Sequence, residues 1–196
     1  MGLREQKKQD TRAAITEATL ELIDTLGYPA TTVSEIASAA NVSHRTFYNY
    51  FASKEDVILA GTFEFYDQML STIAARPNHE HPMLAVRLAA LAAAEVPVPN
   101  QDRIARLVAL IDAEPALAAR LQASLRLAQD GLAAEFARRL GADESDIKVR
   151  VLAAAAVASF QIAMRTWVAR GATDSPLQFG IEALELFGSG LDEIGA

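Results

Sequence analysis

Apolar residues recur at intervals of three and four along almost the whole chain, and this spacing constrains the fold more than any other feature. Residues three and four apart share one face of an α-helix, whereas a half-buried strand alternates apolar and polar residues. Alanine, the strongest helix former, supplies about a fifth of the chain, and no stretch of alternating β-branched residues is present. The sequence therefore predicts an all-α protein.

Glycine, proline and capping residues divide the chain into about nine predicted helices. Gly27 ends the first helix, Asn41 lies in a short turn, and Ser53 opens the fourth helix. Later breaks fall at Pro77, Pro82, Pro97, Pro99, Pro115, Gly141, Gly171 and Pro176. The fourth helix has two adjacent apolar rows, as expected of a helix that contacts two bodies. We therefore predict a small N-terminal domain over residues 1–53 and a helical bundle over residues 54–196.

The composition excludes several classes of protein. Of the 196 residues, 51% are hydrophobic and 22% are charged, which is typical of a folded globular chain. The absence of cysteine excludes thiol catalysis and Cys-ligated metal sites, and it fits a reducing compartment. The N-terminus lacks the apolar core of a signal peptide, and the uncharged run Val151–Met164 is shorter than the roughly 20 residues that cross a bilayer. We expect a cytoplasmic protein with no membrane partner.

Residues 32–51 contain the most informative pattern in the chain. Thr32 and Glu35 have the spacing of a capping box at the start of a helix. Asn41 can adopt the left-handed conformation that ends a helix, and Ser43 can cap the next one. Two phenylalanines four residues apart anchor that next helix, so its first polar side chains face outward. This is the spacing of a helix-turn-helix, whose second helix offers polar side chains to base edges in a major groove.

Three runs of residues accompany this pattern: Gly27-Tyr28, Thr46-Phe47-Tyr48-Asn49-Tyr50-Phe51 and Ser53-Lys54-Glu55-Asp56. Together they resemble the TetR family of transcriptional regulators, and the resemblance covers about residues 8–60. Beyond residue 60 the resemblance is architectural only. It implies an N-terminal helix-turn-helix DNA-binding domain that a long helix joins to a C-terminal bundle for ligand binding and dimerisation.

The resemblance also implies which side chains contact DNA. Base readout is expected from Ser34, Ser43, His44, Arg45 and Thr46. Arg45 is the strongest candidate because its planar guanidinium can bond both acceptors of a guanine edge. Phosphate contacts are expected from Lys8, Arg12, Thr32, Tyr48, Tyr50 and Lys54.

The formal net charge of −7 argues against nucleic acid as a partner only when it is averaged over the chain. Six basic residues in positions 1–54 balance six acidic ones: Arg4, Lys7, Lys8, Arg12, Arg45 and Lys54 against Glu5, Asp10, Glu17, Glu21, Asp24 and Glu35. The excess of negative charge therefore lies in the bundle. The first basic residues lie where an N-terminal arm would reach phosphates or the minor groove.

The last two predicted helices resemble the pair that forms a dimeric four-helix interface in this family. The expected interface residues are Leu152, Ala155, Ser159, Leu177, Ile181, Leu184 and Leu191. A face of small residues permits close approach of helices, and a palindromic operator requires a dimeric protein. The alternative that both apolar stripes are intramolecular core stays open on the pattern alone.

An apolar effector pocket is expected around Phe63, Tyr66, Arg87, Phe160, Met164 and Trp167. Gln161 and Arg165 are further candidates for polar anchors. A helical bundle of this size also needs such residues for its core, so each of them has a purely structural interpretation as well.

The sequence thus predicts a homodimeric regulator that binds operator DNA and is released by a small, largely apolar effector. No cofactor, no metal and no enzymatic activity are expected; His79, Glu80 and His81 lack a further clustered ligand and fit a solvated loop. Two alternatives remain at this stage. One is a helical enzyme with a vestigial helix-turn-helix, and the other is a ligand-binding or scaffolding dimer that no longer engages DNA.

Overall fold

A computed structural model describes residues 2–95, 101–173 and 175–194, with side chains described as far as residue 187. Over these residues the chain forms nine α-helices and no strand, which confirms the all-α prediction. In chain order they are α1 Leu3–Leu26, α2 Val33–Ala39, α3 His44–Tyr50, α4 Lys54–Ala74, α5 Pro82–Ala94, α6 Gln101–Ala113, α7 Pro115–Leu140, α8 Ile147–Ala169 and α9 Pro176–Ile194.

The chain divides into two compact units, and the division falls between Thr62 and Phe63 inside α4. Each unit has its own buried apolar cluster. The N-terminal unit buries a small one, formed by Ile15, Ile36, Phe47, Phe51, Val57 and Ala60. The C-terminal unit buries a larger one from α4, α5, α7, α8 and α9. The assignment of separate functional domains to residues 1–53 and 54–196 stays a prediction.

The first helix differs from the sequence expectation at its beginning. It starts at Leu3, so the basic residues expected in an arm lie on regular helix, and Ile15 is its first buried residue. An α-helix with side chains is about 10–12 Å wide, whereas the minor groove of B-DNA is about 6 Å wide. A helical segment of this width favours the phosphate contact over insertion into the minor groove, and the contact of residues 3–14 with DNA stays a prediction.

The longest helices of the C-terminal unit end and begin with local signals. Gly141 closes α7 in the left-handed conformation at φ 62°, and the Asp146 side chain caps α8 by accepting from the Lys148 N–H. Gly180 on α9 lies where an added Cβ would be 3.0 Å from the Phe160 ring. The absence of a side chain at Gly180 therefore lets α8 and α9 pack closely.

Among the described helices, α8 alone is both long and apolar enough to cross a bilayer by length and composition. The whole helix has 23 residues, so it exceeds the uncharged run on which the sequence expectation rested. Five of its nine buried side chains, including Phe160 and Val157, belong to the apolar cluster of the C-terminal unit. This packing is that of a core helix.

Three of the predicted dimer-interface residues are already buried within the single chain. Ala155, Ser159 and Leu184 are buried within the single chain, and Ser159 donates its hydroxyl to the Ala155 carbonyl at 2.8 Å. Ala155 and Leu184 keep 6% and 4% of their surface and Ser159 none, so their role at an interface stays a prediction. Small residues permit close packing inside one chain as well as between chains, and here the alternative of intramolecular core applies.

The other predicted interface residues keep part of their surface. Leu152, Leu177 and Ile181 are half-buried and pack against the apolar cluster of the C-terminal unit. Leu191 lies outside the residues whose side chains are described. The exposed large apolar side chains of α8 and α9 are different ones, namely Ile147, Val151, Ile162, Leu186 and Phe187.

Candidate DNA-binding surface and ligand cavity

The turn between α2 and α3 is built by local chemistry. The capping box at Thr32 is complete: its hydroxyl accepts from the Glu35 N–H at 3.3 Å, and the Glu35 carboxylate accepts from the Thr32 N–H at 2.8 Å. Asn41 follows at φ 53°, the left-handed conformation that the sequence predicts there. The Val42 N–H donates to the Ala37 carbonyl at 2.9 Å. These bonds fix the angle at which α3 leaves the turn.

Ser43 and Thr46 are coupled at the start of α3. The Ser43 hydroxyl accepts from the Thr46 N–H at 3.0 Å, and the two hydroxyls lie 2.8 Å apart. Ser43 is thus a helix cap, and its hydroxyl is engaged before any base arrives. The cap orders the first turn of α3, which carries the other predicted reading residues.

The predicted reading residues at the start of α3 face solvent. His44 and Arg45 are exposed, Thr46 is half-buried, and Ser34 on α2 is exposed as well. The opposite side of α3 is held by Phe47, which is fully buried. Because the buried ring anchors the helix, the polar face projects from a fixed frame, as readout of base edges requires.

The predicted phosphate contacts have different surroundings. Tyr48 and Lys8 are exposed, whereas Tyr50 is half-buried against the apolar cluster of the N-terminal unit. The Arg12 guanidinium lies 4.6 Å from the centre of the Phe51 ring. Thr32 has committed both its N–H and its hydroxyl to Glu35, so a phosphate there would have to displace that carboxylate.

Lys54 has a structural role that sequence reasoning missed. Its ammonium donates to the carbonyls of Tyr28 and Thr31, each at 2.8 Å, and lies 4.1 Å from the centre of the Tyr28 ring. The Tyr28 hydroxyl in turn donates to Glu55 at 2.6 Å. Residues 28 to 31 are thereby tied to the start of α4.

The same cluster affects the ionisation of Glu55. Partial burial works to raise the pKa of this carboxyl group, but hydrogen bonds outweigh burial and hold the pKa below its ordinary value. The hydrogen bond from Tyr28 contributes most to this lowering, and the neighbouring Lys54 charge adds to it. Glu55 is therefore a carboxylate at neutral pH and a stable acceptor for Tyr28.

The C-terminal unit contains a cavity of about 330 Å³ between α4, α7 and α8. Aromatic and aliphatic side chains dominate its wall, with three polar side chains among them. The lining residues are Phe63, Tyr66, Asp67, Met69, Leu70, Ile73, Val86, Arg120, Ser124, Leu127, Ala128, Leu132, Ala156 and Phe160. A cavity of this size and character suits a small, largely apolar molecule.

Half of the predicted pocket residues line this cavity. Phe63, Tyr66 and Phe160 do so, and the ring of Phe160 meets that of Phe65 edge to face at 5.3 Å. Burial raises the pKa of Tyr66, so its phenol stays protonated and can donate a hydrogen bond to a ligand. Tyr66 is thus the polar group of the wall that the sequence singled out.

The other predicted pocket residues do not line this cavity, and their role in a ligand site stays a prediction. Trp167 is fully buried core, and Met164 is half-buried away from the cavity wall. Arg87 lies 3.4 Å from Glu185 in an exposed ion pair, and the further candidate Arg165 pairs with Asp112 at 2.7 Å. Their helical spacing placed them on apolar faces, but spacing does not distinguish packed core from the wall of a cavity.

Sequence reasoning missed the polar side chains of the wall, which are Asp67, Arg120 and Ser124. Arg120, Ser124 and Leu127 recur on α7 at intervals of four and three. Residues at these intervals share one face of a helix, so the sequence indicated that Arg120 and Ser124 lie side by side on α7. The spacing does not show which helix lies opposite this face of α7 across the cavity.

A buried ionic cluster between α7 and the end of α4 was also missed. The Arg139 side chain is fully enclosed and donates to Glu135 at 2.7 Å, to the Pro77 carbonyl at 2.7 Å and to the Ile73 carbonyl. Burial works to raise the pKa of Glu135, but hydrogen bonds from Arg138 and Arg139 outweigh it and hold the pKa below its ordinary value. The Arg139 guanidinium thus adds a donor to the Ile73 and Pro77 carbonyls, which also accept from the backbone N–H groups of Arg76 at 3.1 Å and Glu80 at 3.2 Å.

No group of three or more His, Asp or Glu side chains in the described parts of the chain is arranged to hold a metal ion. His79 and His81 are exposed. Glu80 between them is bound by Arg76, whose Nε lies 2.6 Å from the carboxylate.

A capped helix-turn-helix with exposed polar side chains on its second helix defines the class of helix-turn-helix DNA-binding proteins. The family model described as "Bacterial regulatory proteins, tetR family" matches residues 15–60. A second model, described as "MftR C-terminal domain", matches residues 80–191. The HTH-type transcriptional regulator TcmR of Streptomyces glaucescens is 31% identical over 201 residues, which cover 98% of this chain and 86% of TcmR. This chain belongs to the TetR family of bacterial transcriptional regulators.

Solved structures have the same fold. A putative TetR-family regulator from Syntrophomonas wolfei superposes with a TM-score of 0.61 at 20% identity, over 94% of this chain and 97% of that one. SmeT, the repressor of the Stenotrophomonas maltophilia multidrug efflux pump SmeDEF, gives a TM-score of 0.58 at 17% identity, over 90% and 89%. SmeT has also been solved as a complex with triclosan. The family membership confirms the predicted function class, a DNA-binding transcriptional regulator.

Proposed function

We propose that this protein is a homodimeric repressor that a small, largely apolar effector releases from its operator. The observation that carries the proposal is the pairing of two features in one TetR-family chain. The first is a rigidly capped α3 with His44 and Arg45 exposed at its start, and the second is the cavity in the C-terminal unit. The proposal includes cytoplasmic action and requires neither membrane association nor catalysis.

Base recognition is assigned to Ser34, Ser43, His44, Arg45 and Thr46. Arg45 is exposed and its guanidinium presents paired donors to guanine, whereas the hydroxyls of Ser43 and Thr46 already bond each other. We therefore expect Arg45 to contribute most to discrimination between sequences, by roughly 1–3 kcal/mol for a good bidentate contact.

Phosphate contacts are assigned to Lys8, Arg12, Thr32, Tyr48, Tyr50 and Lys54. Lys54 can combine its two roles, because an ammonium group has three N–H donors and the Tyr28 and Thr31 carbonyls take two of them. The third donor is available to a phosphate oxygen while the other two hold residues 28 to 31 in place.

The effector site is assigned to the cavity, with Phe63, Tyr66 and Phe160 as its aromatic wall. The phenol of Tyr66 suits a ligand that presents a hydrogen-bond acceptor, such as a carbonyl or ether oxygen, within an otherwise apolar body. An effector acts only if it binds the released state more tightly than the DNA-bound state. α4 is the element through which this difference would act, because it lines the cavity and continues into the N-terminal unit.

The dimer contact is assigned to the outward apolar side chains of α8 and α9. Val151 and Ile162 are eleven residues apart and share one face of α8, and both are exposed in the single chain, as is Leu186 on α9. Burial of these side chains against a second copy would remove apolar surface from water. Leu152, Leu177 and Ile181 would flank this contact.

The DNA-binding part is tested by Arg45→Ala, with Arg126→Ala on α7 as the matched loss of an exposed arginine. A bound sequence is first selected from random DNA with the wild-type protein. By fluorescence anisotropy, Arg45→Ala should lower affinity for that sequence about 10-fold to 100-fold while binding to unrelated DNA changes little. Arg126→Ala should behave as wild type. Unchanged sequence preference in Arg45→Ala would refute the role of Arg45.

The effector part is tested by filling the cavity. Ala128→Phe puts a ring into the cavity, and Ala123→Phe puts the same ring on the exposed side of α7. Small apolar compounds are screened for release of the wild-type protein from its operator. Ala128→Phe should keep operator binding and lose the response, whereas Ala123→Phe should keep both. Full release of Ala128→Phe by the same compound would place the effector elsewhere.

A further inference from the structure

The cavity of the C-terminal unit has a deep end and an outer end that differ in chemistry. Met69, Ile73 and Val86 line the cavity and are buried, so its deep end is apolar. Asp67 and Arg120 line the same cavity but are exposed, so they lie where it opens to solvent. A ligand that fills the cavity would therefore place an apolar body inside and a polar group at the opening.

The polar residues that α7 brings to this opening are already engaged. The Ser124 hydroxyl donates to the Arg120 carbonyl at 3.2 Å, and Arg120 has a further interaction within the chain. An anionic ligand group that arrives on this side of the opening would have to share these interactions or displace them.

Asp67 on α4 has a different environment. Its carboxylate makes no hydrogen bond and no ion pair with any residue that the structure describes. A charge at the mouth of a cavity with apolar walls attracts an opposite charge more strongly than the same group on an open surface, because less water screens it. The negative charge of Asp67 is therefore available to a cationic ligand group.

Aromatic rings lie beside this carboxylate. Phe63 precedes Asp67 by four residues on α4, a spacing at which side chains on a helix are neighbours, and both residues line the cavity. The rings of Tyr66 and Phe160 line it as well. Because the face of an aromatic ring attracts cations, a carboxylate next to such rings suits an ammonium group.

The overall charge of the C-terminal unit acts in the same direction. Residues 63–196 contain 12 basic and 17 acidic residues, which gives this unit a net charge of −5. A negative field raises the local concentration of cations and lowers that of anions. The unit as a whole therefore favours the approach of a cationic ligand over that of an acidic one.

We propose that the effector is an amphipathic amine, whose ammonium group binds Asp67 at the opening while its apolar body fills the deep end of the cavity. This inference rests on the proposed effector function and names the chemical class of the effector. The ammonium donates to the Asp67 carboxylate and packs against the Phe63 ring. An acidic ligand of the same shape is repelled by Asp67 and binds more weakly.

The experiment uses three probes of similar length that differ at one end. They are 4-phenylbutylamine, which is protonated at neutral pH, the neutral 4-phenylbutan-1-ol and the anionic 4-phenylbutyrate. Equilibrium dialysis measures the binding of each probe to the full chain. Asp67→Asn keeps the size of the side chain and removes its charge. Glu144→Gln, at an exposed carboxylate that does not line the cavity, is the matched control.

Wild type should bind the amine more tightly than 4-phenylbutyrate. Asp67→Asn should weaken binding of the amine about 5-fold, as expected for a partly exposed ion pair, and should strengthen binding of 4-phenylbutyrate. Binding of the alcohol should change by less than about 2-fold, because a neutral probe lacks the charge interaction. Glu144→Gln should bind all three probes as wild type does, and Ala128→Phe, which fills the cavity, should bind none of them well.

Three results would overturn the inference and leave the proposed function intact. One is equal weakening of all three probes in Asp67→Asn, which would indicate a change of cavity shape and no charge interaction. Another is tighter binding of 4-phenylbutyrate than of the amine by wild type, which would indicate an anion site at Arg120. The last is amine binding that persists in Ala128→Phe. The proposed effector function fails separately, if compounds that bind in the cavity release no operator DNA whatever their charge.

Discussion

The two units of this protein reach their structures by different routes. In the N-terminal unit, short-range signals such as the capping box at Thr32, the left-handed Asn41 and the Ser43 cap determine where each short helix begins and ends. In the C-terminal unit the helices are long, and their arrangement depends on how distant side chains fit together. The caps and the turn of the first unit therefore follow from the sequence, whereas the cavity in the second unit follows only from packing.

The largest expected effect is that of Phe47→Ala, which tests whether the small apolar cluster supports the N-terminal unit alone. Phe47 is fully buried, and truncation of such a ring costs about 3–5 kcal/mol. DNA binding should be lost. Fluorescence of Trp167, the single tryptophan and a fully buried residue of the C-terminal unit, should keep its wild-type unfolding midpoint.

The measurement distinguishes separate unfolding of the two apolar clusters from joint unfolding. An unchanged Trp167 transition alongside a weakened helical signal in circular dichroism would mean that the two clusters unfold separately. A lower unfolding midpoint of the Trp167 signal in Phe47→Ala would mean that the two clusters unfold together, and it would contradict independent stabilisation of the two units. Leu91→Ala, at an exposed leucine on α5, serves as the control truncation that should leave both signals in place.

Arg139→Met should produce the next largest effect, because it removes the enclosed partner of Glu135 and the donor to the carbonyls at the end of α4. Removal of one partner from a buried ion pair typically costs about 3–5 kcal/mol. Chemical denaturation followed by Trp167 fluorescence measures this loss. Arg150→Met removes an exposed ion pair with Asp130 and should cost less than about 1 kcal/mol. Equal losses of unfolding free energy in Arg139→Met and Arg150→Met would show that burial of the ion pair adds no stability at this cluster.

Lys54→Met should destabilise the N-terminal unit by about 2 kcal/mol, because two charged hydrogen bonds to the Tyr28 and Thr31 carbonyls are lost. Lys148→Met on α8, an exposed lysine, is the control and should change stability by less than about 0.5 kcal/mol. The measurement is denaturation followed by circular dichroism, with the salt slope of operator binding recorded in parallel. Unchanged stability with a slope flattened by about one would make Lys54 a phosphate ligand alone.

The smallest effect is a pH dependence confined to acid solution. The folded-state pKa of Glu135 lies below its ordinary value of 4.5, so the stability that this carboxylate contributes is fully present above about pH 4.5 and is lost as pH falls toward the lower value. Below about pH 4.5 the free energy of unfolding of wild type should therefore fall relative to that of Glu135→Gln. Above that pH the difference between the two proteins should stay constant. A difference between the two proteins that is independent of pH would contradict the ionic role of Glu135.

The sequence predicted the all-α class, the turn at Asn41 and the caps at Thr32 and Ser43 because each depends on residues within four positions of one another. It did not predict that Ala155 and Ser159 would face inward, since small residues suit a core and an interface equally well. It also missed the bond between Lys54 and Tyr28, whose residues lie 26 positions apart. Tertiary proximity of this kind leaves no periodic pattern in one sequence.

The basic residues near the N-terminus show the same limit of prediction from sequence. Lys8 and Arg12 were expected to contact phosphate, and that role stays a prediction. In the structure residues 3–14 are helical, so any contact that they make with DNA would be made from a regular helix. The residue types thus predict that this segment contacts DNA. The backbone conformation determines the geometry in which it could do so.

The glycine at position 131 offers a way to retune the protein as a biosensor. An added Cβ there would lie 2.9 Å from the Leu70 Cδ2 atom, the flexible end of a side chain that lines the cavity. A single methyl group at position 131 would therefore turn Leu70 and reshape the cavity through this one lining side chain. Under the proposed effector function, directed evolution of new ligand responses can begin at position 131, which does not itself line the cavity.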